Sequence, residues 1–173
     1  MTQLTIEPLV LPSARIGHEN PLPHFRGAQV NHQVDANGLP EEKCQYLGWQ
    51  TGFRVLSYWM QDQYPHQRQP LGFQSIVLEN DILKALFLPQ MGGRLISLFH
   101  KGRQKELLHR NPVFQPANLA IRNAWFSGGI EWNIGQYGHS FTTCSPVFAG
   151  RITGVWGEPG LRLYEFERCK RLF

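Results

Sequence analysis

Paired cysteines are absent, and so is any apolar run long enough to cross a membrane. The three thiols, Cys44, Cys144 and Cys169, stand far apart with no CxxC, which argues against a disulfide framework or a zinc knuckle and leaves idle or buried thiols. The amino end, MTQLTIEPLVLPSARIG, lacks a basic stretch followed by a long apolar one, so no export signal is visible and a soluble, cytoplasmic protein is expected. Charge is scarce too, at 17% of residues, where ~25% is ordinary. The formal net charge is +4, but the 17 Lys and Arg are scattered and cluster only at Arg168, Lys170 and Arg171. The basic stripe of a nucleic-acid surface is therefore missing. No GxSxG, phosphate loop or dinucleotide fingerprint occurs, which removes the serine-hydrolase and nucleotide-binding classes. His18, His24 and His32 are irregularly spaced and would need a further ligand from elsewhere, so no metal and no cofactor is expected.

What the chain has in plenty is punctuation. Its 173 residues, enough for one domain with a genuine core, include 17 Gly and 12 Pro, which favours many short elements over long helices. Residues 4–11 fit an edge strand because Pro8 is tolerated there. From residue 12 to 48 the chain reads as an extended amino-terminal arm. Strands are expected at 53–59, 73–79, 82–88, 94–100 and 105–109, with an Asx turn at Asn80-Asp81 and a bulge or close approach at Gly92-Gly93. A last pair, 146–156 and 161–168, flanks a turn at 157–160. Strands at this spacing without alternating helices indicate an all-β antiparallel sandwich.

Residues 118–144, NLAIRNAWFSGGIEWNIGQYGHSFTTC, concentrate the chemistry. A single carboxylate, Glu131, lies among Trp125, Phe126, Trp132 and Tyr137, with Arg122, Asn123, Asn133, Gln136 and His139 close by and Gly128, Gly129, Gly135 and Gly138 for tight turns. The stretch shows neither a helical nor a strand period and reads as an ordered loop. Aromatic faces beside amides, an arginine and a carboxylate suit a sugar, whose C–H faces stack on rings while its hydroxyls meet polar groups. The same tryptophans and glycines also suit plain sandwich packing. Trp59, Asp62 and Tyr64 form a second sugar-facing candidate, or an exposed turn beside a core ring. Arg94 is either exposed or held against a carboxylate of the site.

Five pieces carry a family resemblance: LEN at 78–80, LPxxGGR at 88–94, Asn111-Pro112, SGGIEWN at 127–133, and His139. Over about residues 20–168 the chain resembles the galactose mutarotase-like superfamily, closest to the mutarotase-like domain that precedes tetratricopeptide repeats in bacterial proteins. The resemblance implies a large antiparallel sugar-binding sandwich, of which residues 49–173 would be the amino-terminal part. It also implies acid–base ring opening, with His139 a candidate acid and Glu131 a base or hydroxyl-binding carboxylate. The superfamily's catalytic glutamate generally comes late in a longer domain, so catalysis is expected to be lost or incomplete here. An incomplete sandwich would leave a strand edge open to self-association.

Three readings follow. The first is a carbohydrate-binding domain using Arg94, Arg122, Asn123, Trp125, Trp132, Asn133 and Asp62 around Glu131 and His139. The second is a sugar-acting enzyme, epimerase-like or glycosidase-associated, although glycosidase chemistry would need a second carboxylate such as Asp62. The third is a non-catalytic scaffold fragment.

Overall fold

A computed structural model describes residues 1–25, 37–44, 55–133, 139–168, 171 and 173. Its elements are β1 (Gln3–Ser13), β2 (Asn20–Phe25), one helical turn α1 (Glu41–Cys44), β3 (Val55–Met60), β4 (Gln69–Glu79) and β5 (Leu83–Leu88). A 3-10 turn (Pro89–Met91) leads into β6 (Arg94–His100), β7 (Lys105–Glu106), β8 (Ala117–Ala120), β9 (Asn123–Trp125), β10 (Phe148–Thr153) and β11 (Pro159–Tyr164). The fold is all-β and antiparallel. A five-stranded sheet runs β1-β4-β5-β6-β7, and β2-β3, β8-β9 and β10-β11 form separate two-stranded ribbons. The described residues of the 1–48 segment thus include two strands, β1 built into the main sheet and β2 paired with β3.

β1 pairs with β4 without a slip over eleven rungs, from Gln3↔Glu79 to Ser13↔Gln69. Its prolines fit because of where their missing N–H would point. Pro12 faces Pro70, and neither has a donor, so this rung is of the non-hydrogen-bonded kind. By alternation the Pro8↔Gln74 rung is too, and both prolines turn their nitrogens to the outer edge. The Pro12 carbonyl, pointing the same way, accepts from the Phe114 N–H at 3.0 Å.

The β4–β5 turn forms where Asn80 was expected to make it. The Asn80 carboxamide oxygen accepts from the amides of Ile82 and Leu83, both at 2.8 Å, an Asx turn that fixes the hairpin register. One sheet face buries Phe73, Leu88, Ile96, Phe114, Phe126 and Cys144 in a single core. Phe114 meets Phe126 edge to face at 4.7 Å, and each fully buried aromatic of this kind contributes about 1.5–3 kcal/mol.

Most strand ends differ from the sequence expectation, and the first part of the 118–144 stretch, expected to be a loop, pairs as the β8–β9 ribbon, its strands being too short to show a period in sequence. Two of the shifted ends have a visible local cause. β7 stops at Glu106 rather than 109, because the Glu106 carboxylate takes the Leu98 N–H at 2.7 Å in place of a backbone acceptor and ends the ladder. The last turn falls at 154–158, not 157–160. Gly154 N donates to Glu158 O at 2.7 Å and Trp156 N to the Glu158 carboxylate at 3.0 Å, so Pro159 and Gly160 already belong to β11.

Candidate functional site

The site is built where the loop 127–133 docks on the start of β6. Gly128 and Gly129 have φ of 101° and 70°, which lets the chain reverse, and a Cβ on Gly129 would overlap the Leu95 carbonyl. That close approach allows Ile130 to exchange both backbone hydrogen bonds with Leu95, at 2.9 and 3.2 Å. The bridge is antiparallel, so the residue after Ile130 sits beside the residue before Leu95. Glu131 is thereby set against Arg94.

Arg94 is 2% exposed and fully employed. One guanidinium nitrogen donates to the carbonyls of Phe126 and Gly128 at 3.0 and 3.1 Å, and the other to the Thr143 hydroxyl at 2.8 Å. Its plane lies over the Phe126 ring, 4.0 Å from the centroid. Glu131 Oε2 stands 3.8 Å from it. The same oxygen accepts from the Trp125 indole N–H at 2.8 Å and faces His139 Nδ1 at 2.9 Å. An ionised carboxylate only accepts, so this contact assigns a proton to His139 Nδ1. The Trp125 and His139 rings lie 5.1 Å apart.

Burial would push the Glu131 carboxyl up, but the Trp125 and His139 hydrogen bonds, the polar Thr143 hydroxyl and the Arg94 charge together hold it below the usual carboxylate range. Burial also pulls Arg94 down, against the opposing pull of Glu131. Cys144, behind them in the core, has its thiol pushed up to about 12 by burial and is an inert, uncharged group at neutral pH. While Glu131 Oε2 is crowded with donors, Oε1 is buried with no hydrogen-bond partner among the described residues. The arrangement is a fixed carboxylate with one oxygen saturated and acceptor capacity left on the other.

The other singled-out residues divide. Trp132, 40% exposed, donates to the Gly93 carbonyl at 2.8 Å and walls a cleft of about 320 Å³ with Leu78, Phe87, Val147, Leu163 and Tyr164. Asn133 accepts from the Ser140 N–H at 2.9 Å and so ties the two ends of the segment between them. Asn123 serves the β8–β9 turn, holding the left-handed φ of 77° that asparagine tolerates.

Arg122 points elsewhere. It is 5% exposed and bonds the Trp59 carbonyl, the Phe141 carbonyl, the Ser145 hydroxyl and Glu19. Asp62 is exposed, accepts from Asn20 at 3.2 Å, and shares none of the contacts around Glu131 among the described residues. Gly135, Gln136, Tyr137 and Gly138 lie outside the described residues, as do His32, Cys169 and Lys170. Thr143 and Glu19 were not singled out in the sequence. Thr143 lies within the dense 118–144 stretch and was within reach of the argument, whereas nothing local marks Glu19.

Gly92 and Gly93 supply the expected close approach. At φ of 66° Gly92 passes beneath the turn 140–145, where a Cβ would come within 2.6 Å of the Thr142 carbonyl, and at 68° Gly93 packs against Val147 and Leu163.

Comparison with known proteins places residues 51–153 on the family model described as Domain of unknown function (DUF5107). Among solved structures, the chain is similar to a TPR-domain containing protein from Parabacteroides distasonis ATCC 8503, with a TM-score of 0.66 and 22% identity. The likeness covers 96% of this chain and 24% of that one. At that identity it speaks to the fold alone.

Proposed function

The chain belongs to the DUF5107 family of domains, and from that premise we propose that it recognises a carbohydrate at the Glu131–His139 pair. The observation that carries this reading is the buried, ionised Glu131, framed by tryptophans on either side in sequence and with acceptor capacity left on Oε1. Sugar hydroxyls are donors of the right kind for such an acceptor, and the exposed Trp132 ring offers an apolar face for stacking in the neighbouring cleft, whose lining among the described residues includes neither Glu131 nor His139. The resemblance to the galactose mutarotase-like superfamily supports the same ligand class. Of the residues first considered, Trp125 acts by fixing Glu131, Arg94 by holding its charge, and Asn133 by closing the loop.

The test is a ligand-observed NMR screen of mono- and disaccharides. Binding should weaken about tenfold or more in Trp132→Ala and Glu131→Gln, the loss of roughly one good contact each. A folded wild-type chain that binds none of the panel overturns the reading.

A second reading, an epimerase-like enzyme, is favoured by one specific feature. His139 is hydrogen-bonded through Nδ1 to a carboxylate, which leaves Nε2 available on a partly exposed ring. In that reading His139 moves the proton and Glu131 orients it, because a carboxylate held below its usual range is a poor base. Anomer exchange followed in the same samples, and its loss in His139→Gln, separates enzyme from binder. Glycosidase chemistry would need a second carboxylate across the bond from Glu131, and Asp62, the candidate for it, is held by Asn20 instead.

A further inference from the structure

The turn 140–145 delivers two of the groups that define the site, Thr143 from within it and His139 from immediately before it. The turn is closed on itself, with Thr143 N donating to Ser140 O at 3.3 Å and Ser145 N to Thr142 O at 2.8 Å. These bonds make it one locally closed unit.

Two buried guanidinium groups grip that unit from different sides. Arg94 holds the Thr143 hydroxyl, next to Glu131. Arg122 holds the Phe141 carbonyl at 3.2 Å and the Ser145 hydroxyl at 2.9 Å, and anchors them to β3 through the Trp59 carbonyl at 2.8 Å. The Phe141 ring is stacked on Tyr58 at 4.4 Å, and the Arg122 guanidinium lies 5.4 Å from the same Tyr58 ring. Glu19 completes the set as the counter-charge.

On the reading that Glu131 and His139 form a ligand-binding pair, we infer that Arg122 is a positioning residue of that site. It touches no ligand. Its fork sets the height of the turn 140–145, and the turn sets the approach of His139 Nδ1 and Thr143 to the Glu131 carboxylate. Only a planar group with several fixed donors spans these acceptors at once; a lysine head is a single point and cannot.

The experiment reads the tautomer of His139 by NMR of its imidazole nitrogens, assigned by comparison with His139→Gln, in wild type, Arg122→Lys and Ser145→Ala. The wild type should carry the proton on Nδ1. Both variants should show a mixture of tautomers, with sugar affinity reduced about tenfold, the equivalent of one lost well-aligned hydrogen bond. General loss of stability in a still-folded protein would not move that tautomer. Folded variants that keep the wild-type tautomer overturn the inference, and if Arg122→Lys fails to fold, Ser145→Ala decides, with Gln61→Met as the control for the second bond that Ser145 Oγ accepts, from Gln61 Nε2 at 2.9 Å. A wild-type chain that binds no sugar overturns the carbohydrate reading, while the tautomer comparison still decides the role of Arg122.

Discussion

Arg94 and Arg122 are both nearly removed from solvent, both lose basicity to burial, and both spread their donors over backbone carbonyls, yet their acidic partners differ. Glu131 is itself 10% exposed by side chain and sits against Arg94 at 3.8 Å, whereas Glu19 is 43% exposed and reaches Arg122 from the surface. An exposed carboxylate that loses its arginine returns to water. A buried one cannot, and must be supported by everything around it. The burial of the acid, rather than that of the arginine, is what distinguishes the two clusters.

The comparison can be broken most directly by removing each arginine. Arg94→Met should cost about 3–5 kcal/mol in urea unfolding, because it strands the Glu131 charge. Glu131→Gln should cost less, about 1.5–3 kcal/mol at neutral pH, the range for hydrogen bonds to a charged group. That cost should depend on pH. The folded Glu131 lies below its unfolded value, so its stabilisation is complete well above pH ~4.3 and is lost as pH falls through the folded value. The gap between wild type and Glu131→Gln should accordingly close in acid, and a gap that widened would reverse the assigned shift. Arg122→Met should cost about 1–3 kcal/mol, from carbonyls left without donors, and a loss equal to that of Arg94→Met would erase the distinction drawn here. Glu19→Gln should change stability least, by at most about 1 kcal/mol, as for other partly exposed pairs.

How far the sequence carried the fold depends on how local each decision is. The β4–β5–β6 meander is legible because short β-rich apolar runs on either side of the Asn80 turn settle it within a few residues. The end of β7 was not, since it turns on one carboxylate competing for the Leu98 amide. Within the candidate site, Glu131, His139 and Trp125 are near neighbours in sequence and were found as a group. For Arg94 the sequence leaves exposure and a carboxylate of the site both open, because its contact with Glu131 depends on the Leu95–Ile130 bridge, 35 positions of chain apart. Arg122 was placed among the ligand contacts on loop composition, while the structure gives its donors to Trp59, Phe141, Ser145 and Glu19. Neither Glu19 nor Trp59 is signalled by anything near residue 122.

The prolines of β1 bear on how the molecule keeps company at high concentration. An approaching strand would seek a regular comb of outward donors along that margin, and Pro8 breaks the comb in its middle while Pro12 and its Phe114 contact close one end. The flanking rows still present Ile6 and Val10 at 65% and 63% exposure, the kind of greasy surface that ordinarily seeds fibrils. Two imino acids thus leave that margin short of the donors an approaching strand would pair with, a role that lies in what they withhold.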